Sequence, residues 1–144
     1  MILIETLPED TQPLGHIEYV LLDWDMRRKA RQKCTTDHGT EVAIALPRGH
    51  QLTDGAVIYN SSERTIIVKA NSQKVIKLRP ENLAQACKVA HHAGNWHRSI
   101  QVTESGELVL EEDAPLTNWL QQNKIDFALV EVPFQPNLRG DSHD

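Results

Sequence analysis

Three of the seven histidines fall within the short run His91-His92-Ala93-Gly94-Asn95-Trp96-His97. The segment before it has helical character, and Gly94 and Asn95 are residues that stop helices. Imidazole is the commonest metal ligand, because its neutral ring offers one nitrogen lone pair while the other nitrogen keeps its proton. A histidine just past a helix stop is free to point its ring away from the core. His97 occupies that place and is a candidate ligand for a divalent transition ion; the alternative is a turn histidine hydrogen-bonded to backbone. One imidazole does not make a site, but a symmetric dimer presents a residue near its two-fold axis twice.

The other candidates are weaker. His91 and His92 differ by about 100° around a helix and cannot face one ion together while helical. Their spacing puts His91 at the edge of an apolar stripe and His92 on the exposed side, and both suit the negative end of the helix dipole. His143, close to Asp141 and beside Asp144, lies in a polar terminal segment. A mobile histidine next to carboxylates completes a coordination sphere and also lets the ion leave; an inert terminus is the equal alternative. His16, His38 and His50 fall at turns or strand ends with no shared spacing, and read as solvent-exposed. Cys34 and Cys87 stand outside any CxxC pattern. No nucleophile elbow, phosphate loop or HExxH occurs, and Glu111-Glu112-Asp113 reads as a helix cap with its dipole partners. The chain is not expected to be an enzyme.

The elements that must position these residues fall into two halves. Residues 1–73 are almost wholly strand-like. Ile17 to Leu22 is β-rich, Cys34-Thr35-Thr36 turns through Asp37-His38-Gly39 into Glu41 to Leu46, and Val57-Ile58-Tyr59 and Thr65 to Val68 flank Asn60 to Arg64. A small all-β domain is expected. In residues 74–136 the period changes. Val75 to Leu78 reads as a strand and Pro80 as the opening of a helix whose stripe is Leu83, Cys87 and Ala90, ended by Gly94 as a left-handed cap. Ser99 to Thr103 and Glu107 to Leu110 flank Ser105-Gly106. Asp113 caps a helix bearing Leu116, Trp119 and Leu120, with Pro115 in its first turn, and Phe127 to Val132 closes the set. The order β-α-β-β-α-β makes the chain α+β, with a ferredoxin-like second domain. Residues 137–144 read as a flexible polar tail.

Composition narrows the function. A hydrophobic fraction of 40% with 24% charged residues predicts a packed globular core. The net charge of -5 argues against nucleic-acid binding. The local cluster Arg27 to Lys33 reads as a solvated strand or loop edge. No apolar run approaches the roughly 20 residues of a membrane span, and the N-terminus lacks signal-peptide features. A reduced, cytoplasmic protein without membrane attachment is expected.

Four segments in order, Leu46-Pro47-Arg48-Gly49 with Leu52-Thr53-Asp54-Gly55, Leu83-Ala84-Gln85-Ala86-Cys87, His92-Ala93-Gly94-Asn95-Trp96-His97 and Val132-Pro133-Phe134-Gln135-Pro136, closely resemble the urease accessory nickel metallochaperones, the urease accessory protein E type. The resemblance runs from about Arg28 to Pro136. It implies a β domain that contacts proteins and a ferredoxin-like domain that binds metal and dimerises. It also implies a homodimer in which His97 of each subunit meets one Ni2+ ion. The ion is delivered to urease apoenzyme in a complex with other accessory proteins, a GTPase among them. Zn2+ and Cu2+ are expected competitors. Two departures stand out: Glu111-Glu112-Asp113-Ala114 replaces histidines that some relatives carry there, and His143 alone stands where many have a histidine-rich tail. Storage of several ions is therefore not expected. Binding should weaken below about pH 6.5, where imidazole protonates. The rival readings are a protein-interaction adapter in which His97 is structural and, more remotely, a small metal-dependent hydrolase.

Overall fold

The computed structural model describes residues 1–140. The chain divides into two compact units, Met1–Asn71 and Ser72–Asp144, each with its own core.

The first unit is built from two three-stranded sheets. One joins β1 (Ile2–Ile4), β4 (Glu41–Ala45) and β3 (Arg31–Thr35) in the order β1-β4-β3. The other joins β2 (His16–Leu22), β6 (Arg64–Ala70) and β5 (Val57–Asn60) in the order β2-β6-β5. Alternation along each strand sends Val20, Leu22, Val42, Ile44, Ile66 and Val68 into one core, as the two-residue period of a strand requires. The expected hairpin forms between β3 and β4, and Gly39 takes the positive φ of +85° its turn demands.

Two features of this unit depart from the sequence reading. A short helix, α1 (Trp24–Arg27), follows β2, capped by the Asp23 carboxylate on the Met26 N–H at 2.9 Å. It takes Arg27 out of the expected solvated cluster: the side chain is 1% exposed and its guanidinium lies 5.6 Å from the Trp24 ring centroid. Only the rest of the cluster is accessible, with Arg28 paired to Asp25 at 3.0 Å. In β2 the polarity is also inverted in part. Glu18 faces inward at 4% exposure while Ile17, Tyr19 and Leu21 face out.

The second unit is a four-stranded antiparallel sheet of order β10-β7-β9-β8, formed by β7 (Ser72–Leu78), β8 (Gln101–Val102), β9 (Leu108–Glu111) and β10 (Ala128–Pro133). Helices α2 (Leu83–Asn95) and α3 (Ala114–Gln122) supply the two crossovers, which is the ferredoxin-like arrangement. The core joins Ile76, Leu78 and Leu110 of the sheet to Val89 and Ala93 of α2 and Leu116 and Leu120 of α3. The mixed α+β architecture expected from the sequence is the one present.

The phase of α2 differs from expectation. Asn82, not Pro80, opens it, accepting the Gln85 N–H at 2.8 Å. The buried face is Val89–Ala93, one turn apart, so Leu83 and Cys87 face solvent, Leu83 at 79% exposure. Of the expected stripe Leu83-Cys87-Ala90 only Ala90, half-buried, packs against the core, because the β-branched Val89 provides the larger apolar anchor. Asn137 to Gly140, read from the sequence as the start of the tail, is held in place. Leu138 and Ile100 exchange backbone bonds at 2.8 and 2.9 Å, and the Asn137 side chain brackets Val102. This segment covers the outer edge of β8, an edge that otherwise leaves backbone groups unpaired. Among the described residues no helix is long and apolar enough to cross a membrane.

Candidate metal centre

The end of α2 determines the placement of His97. The helix runs through Gly94 to Asn95, and Trp96 is its C-cap with φ -101°. The left-handed residue is His97 itself, at φ 57°, so the expected cap at Gly94 is corrected by three positions. Two bonds close the turn: His97 N–H donates to the Gly94 carbonyl at 3.0 Å and Arg98 N–H to the Ala93 carbonyl at 2.9 Å. These are the paired bonds of a Schellman motif, whose left-handed position is usually glycine. A residue with a Cβ is strained there by about 1 kcal/mol. Histidine therefore holds this position against a local preference, and backbone strain of this kind concentrates at functional sites.

His97 is exposed, and its ring makes no hydrogen bond or ion pair among the described residues. The next residue anchors the turn. Arg98 pairs through Nη1 with Oδ2 of Asp113, whose other oxygen caps α3 by accepting the Leu116 N–H at 2.8 Å. Burial lowers the pKa of the Arg98 guanidinium, and nearby Glu111 opposes that shift. On the other side of Arg98, Gly140 packs so closely that a Cβ would overlap the Arg98 backbone, and its N–H donates to Ser99 Oγ at 3.1 Å. The backbone carrying the candidate ligand is thus tied to α2, to α3 and to the end of the described chain.

The neighbouring histidines exchange the places expected for them. His91 is exposed, while His92 is half-buried and stacks on Trp119 with ring centroids 3.8 Å apart and planes 9° from parallel. Burial, then the Arg98 charge, then His91 lower the His92 pKa, so its neutral form is favoured. His92 is a packing residue whose face, not its lone pair, is used. His143 lies outside the described residues. Among the described residues no three His, Cys, Asp or Glu side chains converge on a common point. Sequence reasoning missed Arg98, Asp113 as its partner, and Gly140: the first pair is separated by a hairpin, and a single Gly in a polar segment is the only hint of the third.

The second unit thus has a ferredoxin-like arrangement with an exposed imidazole at the end of its first helix. Residues 3–71 match the UreE urease accessory protein N-terminal domain and residues 73–144 its C-terminal domain. The chain is 32% identical over 148 residues to the urease accessory protein UreE of Geobacillus kaustophilus, covering 99% of each chain. Identity is 31% to the Staphylococcus epidermidis protein, covering 90% of this chain and 87% of that one. It is 30% to the Streptococcus vestibularis protein, covering 86% and 82%. The chain belongs to the UreE family of urease accessory proteins and is an accessory protein rather than a catalyst.

Proposed function

We propose that this protein is a nickel metallochaperone that binds Ni2+ between two copies of itself through His97 and delivers the ion to urease apoenzyme. The observation that carries the reading is His97: an exposed imidazole without an internal partner, in a strained position that glycine would fill at lower cost. The exposed, uncharged face of α2, with Leu83, Cys87 and Gly94, supports pairing of two second units, and Trp96 at 62% exposure extends it beside His97. Two imidazoles and water leave the ion exchangeable, as delivery requires. Imidazole suits nickel, copper and zinc alike, so the receiving complex, including other accessory proteins and a GTPase, supplies much of the selectivity. His143 is part of the proposal as a further ligand to the same ion. It follows Gly140 by three residues, a span of at most about 11 Å, and Gly140 abuts the residue next to His97.

Nickel titration calorimetry on wild type and His97→Ala, with mass by light scattering, tests this. About one tight ion per two chains, lost in the variant while the dimer persists, is the expected outcome. Equal binding in both proteins, or none in either, overturns it. The adapter reading retains one supporting observation, the outward row Ile17, Tyr19 and Leu21 on β2. Under that reading, partner binding survives chelation unchanged; under the chaperone reading, the first unit docks partners while the second carries the ion.

A further inference from the structure

We infer a second, weaker transition-metal site in the first unit, formed by His16 and His38. The two residues are 22 apart in sequence, yet their ring centroids lie 4.5 Å apart, edge to face at 88°. Two imidazoles bound cis to one ion, with Zn–N-like bonds of about 2.0–2.1 Å, also place their centroids about 4.5 Å apart. The ring positions therefore already suit a common ion. Only the ring orientations must change, and His16 is the ring that can turn, because it is exposed and makes no side-chain hydrogen bond among the described residues.

The surroundings prepare one of the two ligands. His38 Nδ1 lies 2.9 Å from Asp37 Oδ1. That same oxygen accepts the Tyr19 N–H at 2.9 Å, and the Asp37 N–H returns a bond to the Tyr19 carbonyl at 2.9 Å. The contact with the Asp37 carboxylate matches the Nδ1–H tautomer of His38, in which Nε2 keeps its lone pair, the carboxylate–histidine arrangement that orients metal ligands. Backbone geometry fixes the other ligand. Gly15 lies where a Cβ would overlap the backbone of Ser61 to Arg64, so His16 enters β2 paired with Arg64 in register.

The charge balance favours a cation. Behind the pair, Glu18 accepts the hydroxyls of Thr36 at 2.5 Å and Thr40 at 2.7 Å, and its other oxygen is 3.7 Å from Arg64. Among the charged side chains bonded within this cluster, the carboxylates of Glu18 and Asp37 outnumber the guanidinium of Arg64 by one. Glu18 is occupied by its hydroxyl donors and Asp37 by His38, so the protein supplies two nitrogens and water fills the remaining positions. Such a site takes borderline divalent ions, copper more tightly than nickel, and releases them readily.

Nickel(II) alone, added to the full-length His97→Ala protein and followed by amide NMR, provides the test without signal from the cargo site. Paramagnetic broadening confined within the first unit to His16, Tyr19 and His38 is expected, needing at least about tenfold more nickel after His38→Gln or His16→Gln. Unshifted amides elsewhere in those variants show that the fold persists. Absence of broadening in the first unit with nickel in large molar excess over the protein overturns the inference, as does broadening that both glutamine variants leave unchanged. A His97 site that fails in calorimetry leaves this outcome unaffected, because the two sites share no residue.

Discussion

His97 combines a poor backbone choice with an available side chain, and the two properties can be separated by substitution. His97→Gly should raise stability by about 0.5–1 kcal/mol, measured by thermal or urea unfolding, because the left-handed strain disappears. The same change should abolish tight nickel binding. Lys124 is the matched control, since it occupies the equivalent left-handed place after α3, at φ 56°, with the same pair of closing bonds. Lys124→Gly should stabilise similarly and leave nickel binding intact. At this scale His97 was legible because Gly94 and Asn95 announce a helix end close by. His16 and His38 were not, because what joins them is the tertiary pairing of Asp37 with Tyr19, which no local spacing encodes.

At the scale of elements, the β-α-β-β-α-β order was legible from changes of period, while the rotation of α2 was not. Periodicity finds a stripe without saying which of two stripes is buried, and here Val89 and Ala93 outcompete Leu83 and Cys87. The Asp113 cap and Pro115 were both legible from local chemistry, and both stand in the first turn of α3 as expected. The Arg98 partnership was not, because it spans the hairpin between β8 and β9. Asp113→Ala should cost about 1 kcal/mol through the lost cap and also release Arg98. Asp113→Ser retains a capping oxygen but not the ion pair. If the pair steadies the turn, both variants should weaken nickel binding in calorimetry while only the alanine variant loses substantial stability.

For the molecule as a whole, two separate cores mean that unfolding need not be a single transition. Glu18 makes the first unit the acid-sensitive one. Hydrogen bonds from Thr36 and then Thr40, with Arg64, hold its carboxyl below the ordinary value, against the effect of burial. A lowered folded-state pKa contributes stability that is fully present above about pH 4.3, the unfolded glutamate value, and is lost as pH falls through the folded one. Amide signals of residues in β2, β5 and β6 should therefore collapse at higher pH than those of β7, β9 and α2 in an acid titration followed by NMR. Glu18→Gln, which leaves the Thr36, Thr40 and Arg64 network incompletely matched, should destabilise the first unit by about 1–3 kcal/mol at neutral pH and reduce that difference.

The segment from Asn137 to Gly140 has a practical consequence for anyone who purifies this protein. Its course along β8 brings Gly140, the last described residue, against Arg98, the residue next to His97. A polyhistidine affinity tag fused at the C-terminus would add imidazoles only a few residues beyond Gly140, within reach of the proposed ligand, and metal stoichiometries measured on such material would count the tag as part of the protein.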